Sequence, residues 1–346
     1  MDADRAKPRS GVEVRQAAAA FAQPIGRQGV LQLLTSFGPF IAACASMYLV
    51  YPISPLLALA LALPTGLLLL RLFVIQHDCG HGSFFASSRA NALVGRVCSL
   101  ATLTPFANWA RHHSQHHGNW SNLDGRDPTD LYSACLTVRD YLALSPLQRW
   151  LHRLPRHPLV ANLLLPPLVF LLLYRVPFDT PRRWVRERLS VHMTNAALLV
   201  LFATLALLFG WQRVLAIHVS VMIVASISGV WLFSVQHRFE TSRWTGRHEW
   251  DAANASMEGS SWLHLPRMLQ WLTGNIGFHH VHHLNPRVPN YRLGAAHEAL
   301  QAVWKIEPLS LRGGLRAPWL TLWDEATERL VSFRDATRMP TLRTAT

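Results

Sequence analysis

The sequence predicts an all-α integral membrane protein: four transmembrane helices, interfacial or re-entrant helices between them, and a helical cap on the cytoplasmic face that carries clustered histidines. Three observations predict it. No charged residue and no histidine occurs between Arg27 and Arg71, a gap of 43 residues that has room for two spans of roughly 20 residues each. Charged residues make up 15% of the chain, against about 25% in soluble domains. Eight histidines fall into three groups, His77/His81, His113/His116/His117 and His279/His282/His283, whose i, i+3, i+4 spacing puts each group on one helix face.

Taken in order, residues 1–29 are polar, with an alanine-rich patch at Ala17–Ala20 suited to a short interfacial helix. No apolar stretch follows the first basic residues, so no cleaved leader is expected. Leu31–Tyr51 is the first predicted span, Pro52–Pro55 a tight turn, and Ser54–Gln76 the second span, kinked at Pro64. Arg71 can snorkel towards headgroups. The apolar run Val97–Asn108 is too short to cross a bilayer and suits an interfacial or re-entrant segment leading to Arg111–His117. Residues 118–157 are polar and arginine-rich. Val191–Trp211 and Leu215–Gln236 are the third and fourth predicted spans, joined around Gly210–Arg213. Residues 284–346 read as a tail with one amphipathic helix around Trp319–Arg334. The division expected is an N-terminal cytoplasmic segment, 1–30, a membrane domain, 31–295, and a C-terminal cytoplasmic tail, 296–346.

The segment Pro158–Tyr174 is apolar but carries Pro166-Pro167 at its centre. If it spanned, the second and third histidine groups would face opposite compartments. If it lies in the interface, all groups share one side, and the double proline favours this reading. That side also bears the N-terminus and the Arg182–Arg188 stretch, so it is the cytoplasm by the positive-inside tendency. The net charge of +13 is almost all arginine, with Lys7 and Lys305 the only lysines. Flanking apolar segments as they do, these arginines point to membrane orientation and anionic headgroups rather than nucleic acid. Cys44, Cys79, Cys98 and Cys135 are scattered, without a C-x-x-C pair, so no disulfide framework or thiolate zinc site follows.

The histidines carry the chemistry. Two imidazoles plus three plus three, with His237 at the end of the fourth span as a ninth, exceed what one ion can use, so two metal ions are the natural count. The absence of H-E-x-x-H argues against the usual zinc protease site. The absence of Glu-x-x-His argues against a carboxylate di-iron bundle. A shell of neutral imidazoles with open positions suits iron that takes up oxygen. Asp78, Asp127, Asp130 and Glu240 stand near the clusters and are candidates to accept the second N–H of a ligating ring. His112 and His280 read as supporting neighbours, and His218, inside the fourth span, as a buried hydrogen-bond partner. His152, His157, His192, His248, His264 and His297 read as polar anchors.

Together, HDCGH, the two H-x-x-H-H groups, VQHRFE and GNIGFHHVHHLNPRVPNY resemble the membrane fatty-acid desaturases, most of all the bacterial and plastid acyl-lipid enzymes of delta-12 and delta-5 type. The resemblance covers residues 65–295. It implies an oxidoreductase that inserts a cis double bond into a lipid-linked acyl chain, at a di-iron site in a bacterial inner membrane. Carried over by residue, it implies His77, His81, His113, His116, His117, His279, His282 and His283 as ligands, with His237 matching the family's extra ligand. O₂ is then the co-substrate, no bound organic cofactor is expected, and nothing resembles a fused haem-binding module. Electrons would come from a separate ferredoxin, flavodoxin or similar donor, steered by arginines such as Arg139, Arg149 or Arg153. Two alternatives stay open: a membrane di-iron hydroxylase or ketolase acting on alkanes or carotenoids, and a histidine-rich metal transporter or sensor. The second would need polar residues inside the spans, where His218 stands almost alone.

Overall fold

A computed structural model describes residues 11–125 and 135–338. The chain opens with α1 (Gly11–Ala19), α2 (Gly26–Val50), α3 (Pro55–Ala60) and α4 (Ala62–His81). The last two form one bent apolar element of 27 residues. Pro64 has no N–H to donate to Ala60 and its ring crowds that carbonyl, which is why the break falls at Leu61, just ahead of the proline. α4 stops at Gly82, whose φ of +69° is a left-handed conformation costly to other residues. The chain therefore turns away immediately after His81.

α5 (Ser88–Ala101) and α6 (Phe106–Asn119) follow, joined by a tight turn through Leu103. The apolar run Val97–Asn108 is thus the end of one helix, a turn and the start of the next. α7 (Val138–Ala143) and α8 (Pro146–Arg153) precede the double-proline segment, which forms a π turn at Val160–Leu164, then α9 (Leu165–Leu171). This stretch bends by 42° from the helix before it. α10 (Val185–Phe209) and α11 (Trp211–His237) are hinged at Gly210 alone. Among the described residues, these two with α2 and the α3–α4 pair make four elements long and apolar enough to cross a membrane, or five if the bent pair Pro146–Arg156 and Val160–Arg175 is one span.

Next come α12 (Ala252–Gly259), α13 (Arg267–Leu272), α14 (His279–Leu284) and α15 (Leu293–Gln301), and two short helices, α16 (Leu311–Arg316) and α17 (Phe333–Ala336), lie towards the C-terminus. Val14 and Ala18 of α1 pack into the same core as Val281 of α14 and Leu300 of α15. A second core joins α2, α4, α5 and α11 through residues such as Met47, Leu72, Cys98 and Ile217. The alanine-rich N-terminal helix is therefore a brace behind α14.

The helix expected around Trp319–Arg334 is instead a β-hairpin, β2 (Leu322–Asp324) and β3 (Arg329–Val331), with β1 (Leu136–Thr137) parallel to β2. The reason is local. Asp324 accepts from Ala326 N and Thr327 Oγ1 to close the turn, and Glu328 takes a φ of +49° that a helix does not permit. The described residues are otherwise mostly helical, as expected of an all-α membrane protein, and this small sheet is the departure from that expectation.

Candidate metal centre

Each histidine reaches the site from a helix. His77 and His81 occupy the last turn of α4, with ring centroids 4.8 Å apart. His113, His116 and His117 lie on α6, His237 is the final residue of α11, and His279, His282 and His283 lie on α14. The four helices bring these nine rings into two adjoining groups. In the first, one nitrogen from each of His77, His81, His113, His117 and His282 lies within 4.8 Å of all the others. The second holds His116, His237 and His283 by the same measure, with His279 joined through a 3.1 Å contact to His237. His117 and His283 stack at 4.1 Å where the groups meet.

The contacts are between nitrogens that face a common point. His117 Nε2 lies 3.2 Å from His113 Nε2 and 3.0 Å from His282 Nε2, and His237 Nε2 lies 3.0 Å from His116 Nε2 and 3.1 Å from His279 Nε2. A neutral imidazole has one donor and one acceptor, so a ring pointing the same nitrogen at two neighbours leaves lone pairs opposed. His81 Nε2 and His283 Nε2 are buried with no hydrogen-bond partner. Burial first, then neighbouring imidazoles, hold His113, His117, His279, His282 and His283 well below the ordinary histidine pKa. Convergent, neutral, under-satisfied nitrogens are a donor set that fits two divalent transition-metal ions.

Of the supporting carboxylates, Asp78 reaches the site: its Oδ1 lies 3.2 Å from His77 Nδ1. Asp127 and Asp130 lie outside the described residues. The expectation for Glu240 is corrected: its side chain is 64% exposed and pairs with Arg329 on the surface, because the chain leaves α11 outward after His237. His112 faces Asp179 and Trp184, and His280 turns to His297 at 3.0 Å. Burial pulls His280 and His297 down to about 3 and about 4 respectively. His218 contacts the Tyr48 hydroxyl at 3.1 Å. Two tryptophans that sequence reasoning missed abut the rings. Trp109 stacks on His113 at 4.7 Å, and Trp120 lies 3.9 Å from His237 while donating to Gly259 O. Their signal was present, since Trp109 sits four residues before His113 and Trp120 four after His116.

A cavity of about 510 Å³ opens onto His77, His113, His116 and His279. Its walls are chiefly apolar: Leu69, Leu70 and Phe73 of α4, Val169 and Phe170 of α9, and Met222, Val230 and Phe233 of α11. That volume falls within the usual range for a small-molecule site.

A family model described as fatty acid desaturase matches residues 53–312. The chain is 41% identical over 322 residues to a fatty acid desaturase of Bacillus subtilis, covering 93% of this chain and 90% of that one. It is 26% identical over 243 residues to an sn-1 oleoyl-lipid 12-desaturase of Synechocystis sp., covering 69% and 67%. To a chloroplastic omega-6 fatty acid desaturase of Arabidopsis thaliana it is 27% identical over 264 residues, 69% of this chain and about half (52%) of that protein.

Proposed function

Because the chain belongs to the fatty acid desaturase family and is a membrane oxidoreductase, we propose that it inserts a cis double bond into a lipid-linked acyl chain held in the cavity between α4, α9 and α11. The observation that carries this reading is the meeting of an apolar cavity with the clustered imidazoles at His77, His113, His116 and His279. We assign His77, His81, His113, His117 and His282 to one iron, and His116, His237, His279 and His283 to the other. The relatives named as acting on oleoyl-lipid or fatty acids support the substrate class.

The reaction is hard because an unactivated methylene has neither an acidic proton nor a leaving group. No side chain lining the cavity is an oxidant, so paired iron, when bound, supplies the one-electron chemistry with O₂ and two electrons from an external carrier such as a ferredoxin or flavodoxin. The protein's own residues do the rest. Leu69, Leu70, Phe73, Val230 and Phe233 hold the chain extended, exclude water and bring one C–C bond to the rings. Asp78 accepts a hydrogen bond from the Nδ1–H of His77 and so leaves the Nε2 lone pair for the metal. In this reading the membrane is a bacterial inner membrane and the rings lie at its cytoplasmic face, where a soluble donor docks. Residues 31–295 form the reaction-bearing domain, flanked by 1–30 and 296–346. Of the arginines that could steer a donor, Arg139 is 80% exposed and pairs with Glu325, and Arg149 and Arg153 lie over the Tyr141 ring.

The test is expression in a host with a saturated-rich membrane, followed by fatty-acid profiling with double-bond location. New monoenes or dienes and about two irons per chain are expected. Hydroxylated products would move the reading to a hydroxylase on the same scaffold, and zinc alone would end it.

A further inference from the structure

We infer that Asn290 and Gln32, two amides outside the histidine set, are positioning residues for the metal site and act through Asp78. Asp78 Oδ2 accepts two hydrogen bonds from one residue, from Asn290 N at 2.6 Å and Asn290 Nδ2 at 2.8 Å. Its other oxygen, Oδ1, faces His77 Nδ1 at 3.2 Å. Asn290 Oδ1 in turn accepts from Gln32 Nε2 at 2.7 Å, which brings α2 into the chain of contacts. Gln32, Asp78 and Asn290 are 6%, 1% and 0% exposed, so water does not compete for these bonds.

The order of donors leaves little freedom. Gln32 offers an N–H, so the Asn290 oxygen must face it and the Asn290 amide nitrogen must face Asp78. A flipped Asn290 would set its oxygen against a carboxylate oxygen. Doubly held on one side, the carboxylate cannot swing, and its free oxygen is fixed on His77. That contact selects the His77 tautomer with Nδ1 protonated and Nε2 open, the form a metal requires. Asn290 follows α14 after a short turn, at the start of a one-turn helix, Asn290–Arg292, that Pro289 caps. The segment that follows His279, His282 and His283 thus also tunes a ring on α4, through a carboxylate 212 residues earlier in the chain.

This rests on His77 being a ligand, so the experiment carries that control. Purified full-length protein is loaded with ferrous iron and challenged with a chelator, and metal per chain is followed beside thermal unfolding of the metal-free form. Asn290→Ala should lose one of its two irons about 10-fold faster or more, with little change in metal-free unfolding. Asp78→Asn should match it, and the double variant should be no worse than Asp78→Asn, since both act along one path. Wild-type retention by Asn290→Ala, or penalties that multiply in the double variant, would overturn the inference. If Asn290→Ala does not fold, Gln32→Leu decides: faster loss supports the inference and wild-type retention ends it. Full retention by His77→Ala would instead remove the ligand reading on which it stands.

Discussion

Nine imidazoles crowd two small volumes without enough protons to satisfy one another, and this has different consequences for different rings. His237 and His280 make the contrast. Both are buried, but His237 shares its Nε2 with His116 and His279, whereas His280 points away to His297. His237→Ala should abolish activity and remove about one iron per chain, a loss beyond the roughly 10–100-fold typical of an outer partner. His280→Ala should keep both irons and lower thermal stability. Metal analysis of the two variants side by side checks this. The His280–His297 pair also sets a pH response. Unfolded histidines protonate near pH ~6.5, while the folded pair stays neutral down to about 3 and about 4. Below pH ~6.5 the unfolded state therefore binds more protons, and stability falls as pH falls towards the folded values. Thermal unfolding of the metal-free protein should shift down between pH ~7.5 and ~5.5, and less so in His297→Gln.

The helices decide how deep the cavity runs. Along α11, Phe233, Gly229, Ala225 and Met222 recur at helical spacing on its wall, and His237 stands at the metal end. Fifteen residues separate Met222 from His237, about 22 Å at 1.5 Å per residue. Near that level α4 and α11 touch, since a Cβ at Gly66 would meet Val224 Cβ at 2.6 Å and Val221 O at 3.0 Å. Met222 is the cavity-lining residue of α11 farthest along the helix from His237. Met222→Ala should deepen the slot and shift products towards longer acyl chains or a double bond farther from the chain's methyl end. Ala225→Leu should do the reverse. Product analysis over a range of chain lengths checks both, and identical profiles would place the acyl chain elsewhere.

In the whole molecule, segments from both ends of the chain brace the centre: α1 behind α14, and the C-terminal hairpin beneath Trp120. Trp323 and Leu330 of that hairpin pack with Trp120 and Trp244, and Trp120 lies against His237. Trp323→Ala should cost about 3–5 kcal/mol of stability, the usual loss for a buried aromatic, seen as a lower midpoint in thermal unfolding. This brace was illegible in the sequence. β2 and β3 are three residues each, too short for an alternating pattern to stand out from an amphipathic helix, and their partner strand at Leu136–Thr137 is remote in the chain. The four apolar elements and the histidine groups were legible because both are local: bilayer thickness demands long uncharged runs, and i, i+3, i+4 spacing places rings on one face. The membrane class, the family resemblance and the helix faces shared by the histidines are therefore readable along the chain. Folding alone sets how the rings group, that Glu240 faces solvent while Asp78 meets His77, and that Asn290 and Gln32 stand behind it. Apart from the adjacent pair Asp78 and His77, those outcomes depend on contacts between residues tens to hundreds of positions apart, which no periodicity along the chain encodes.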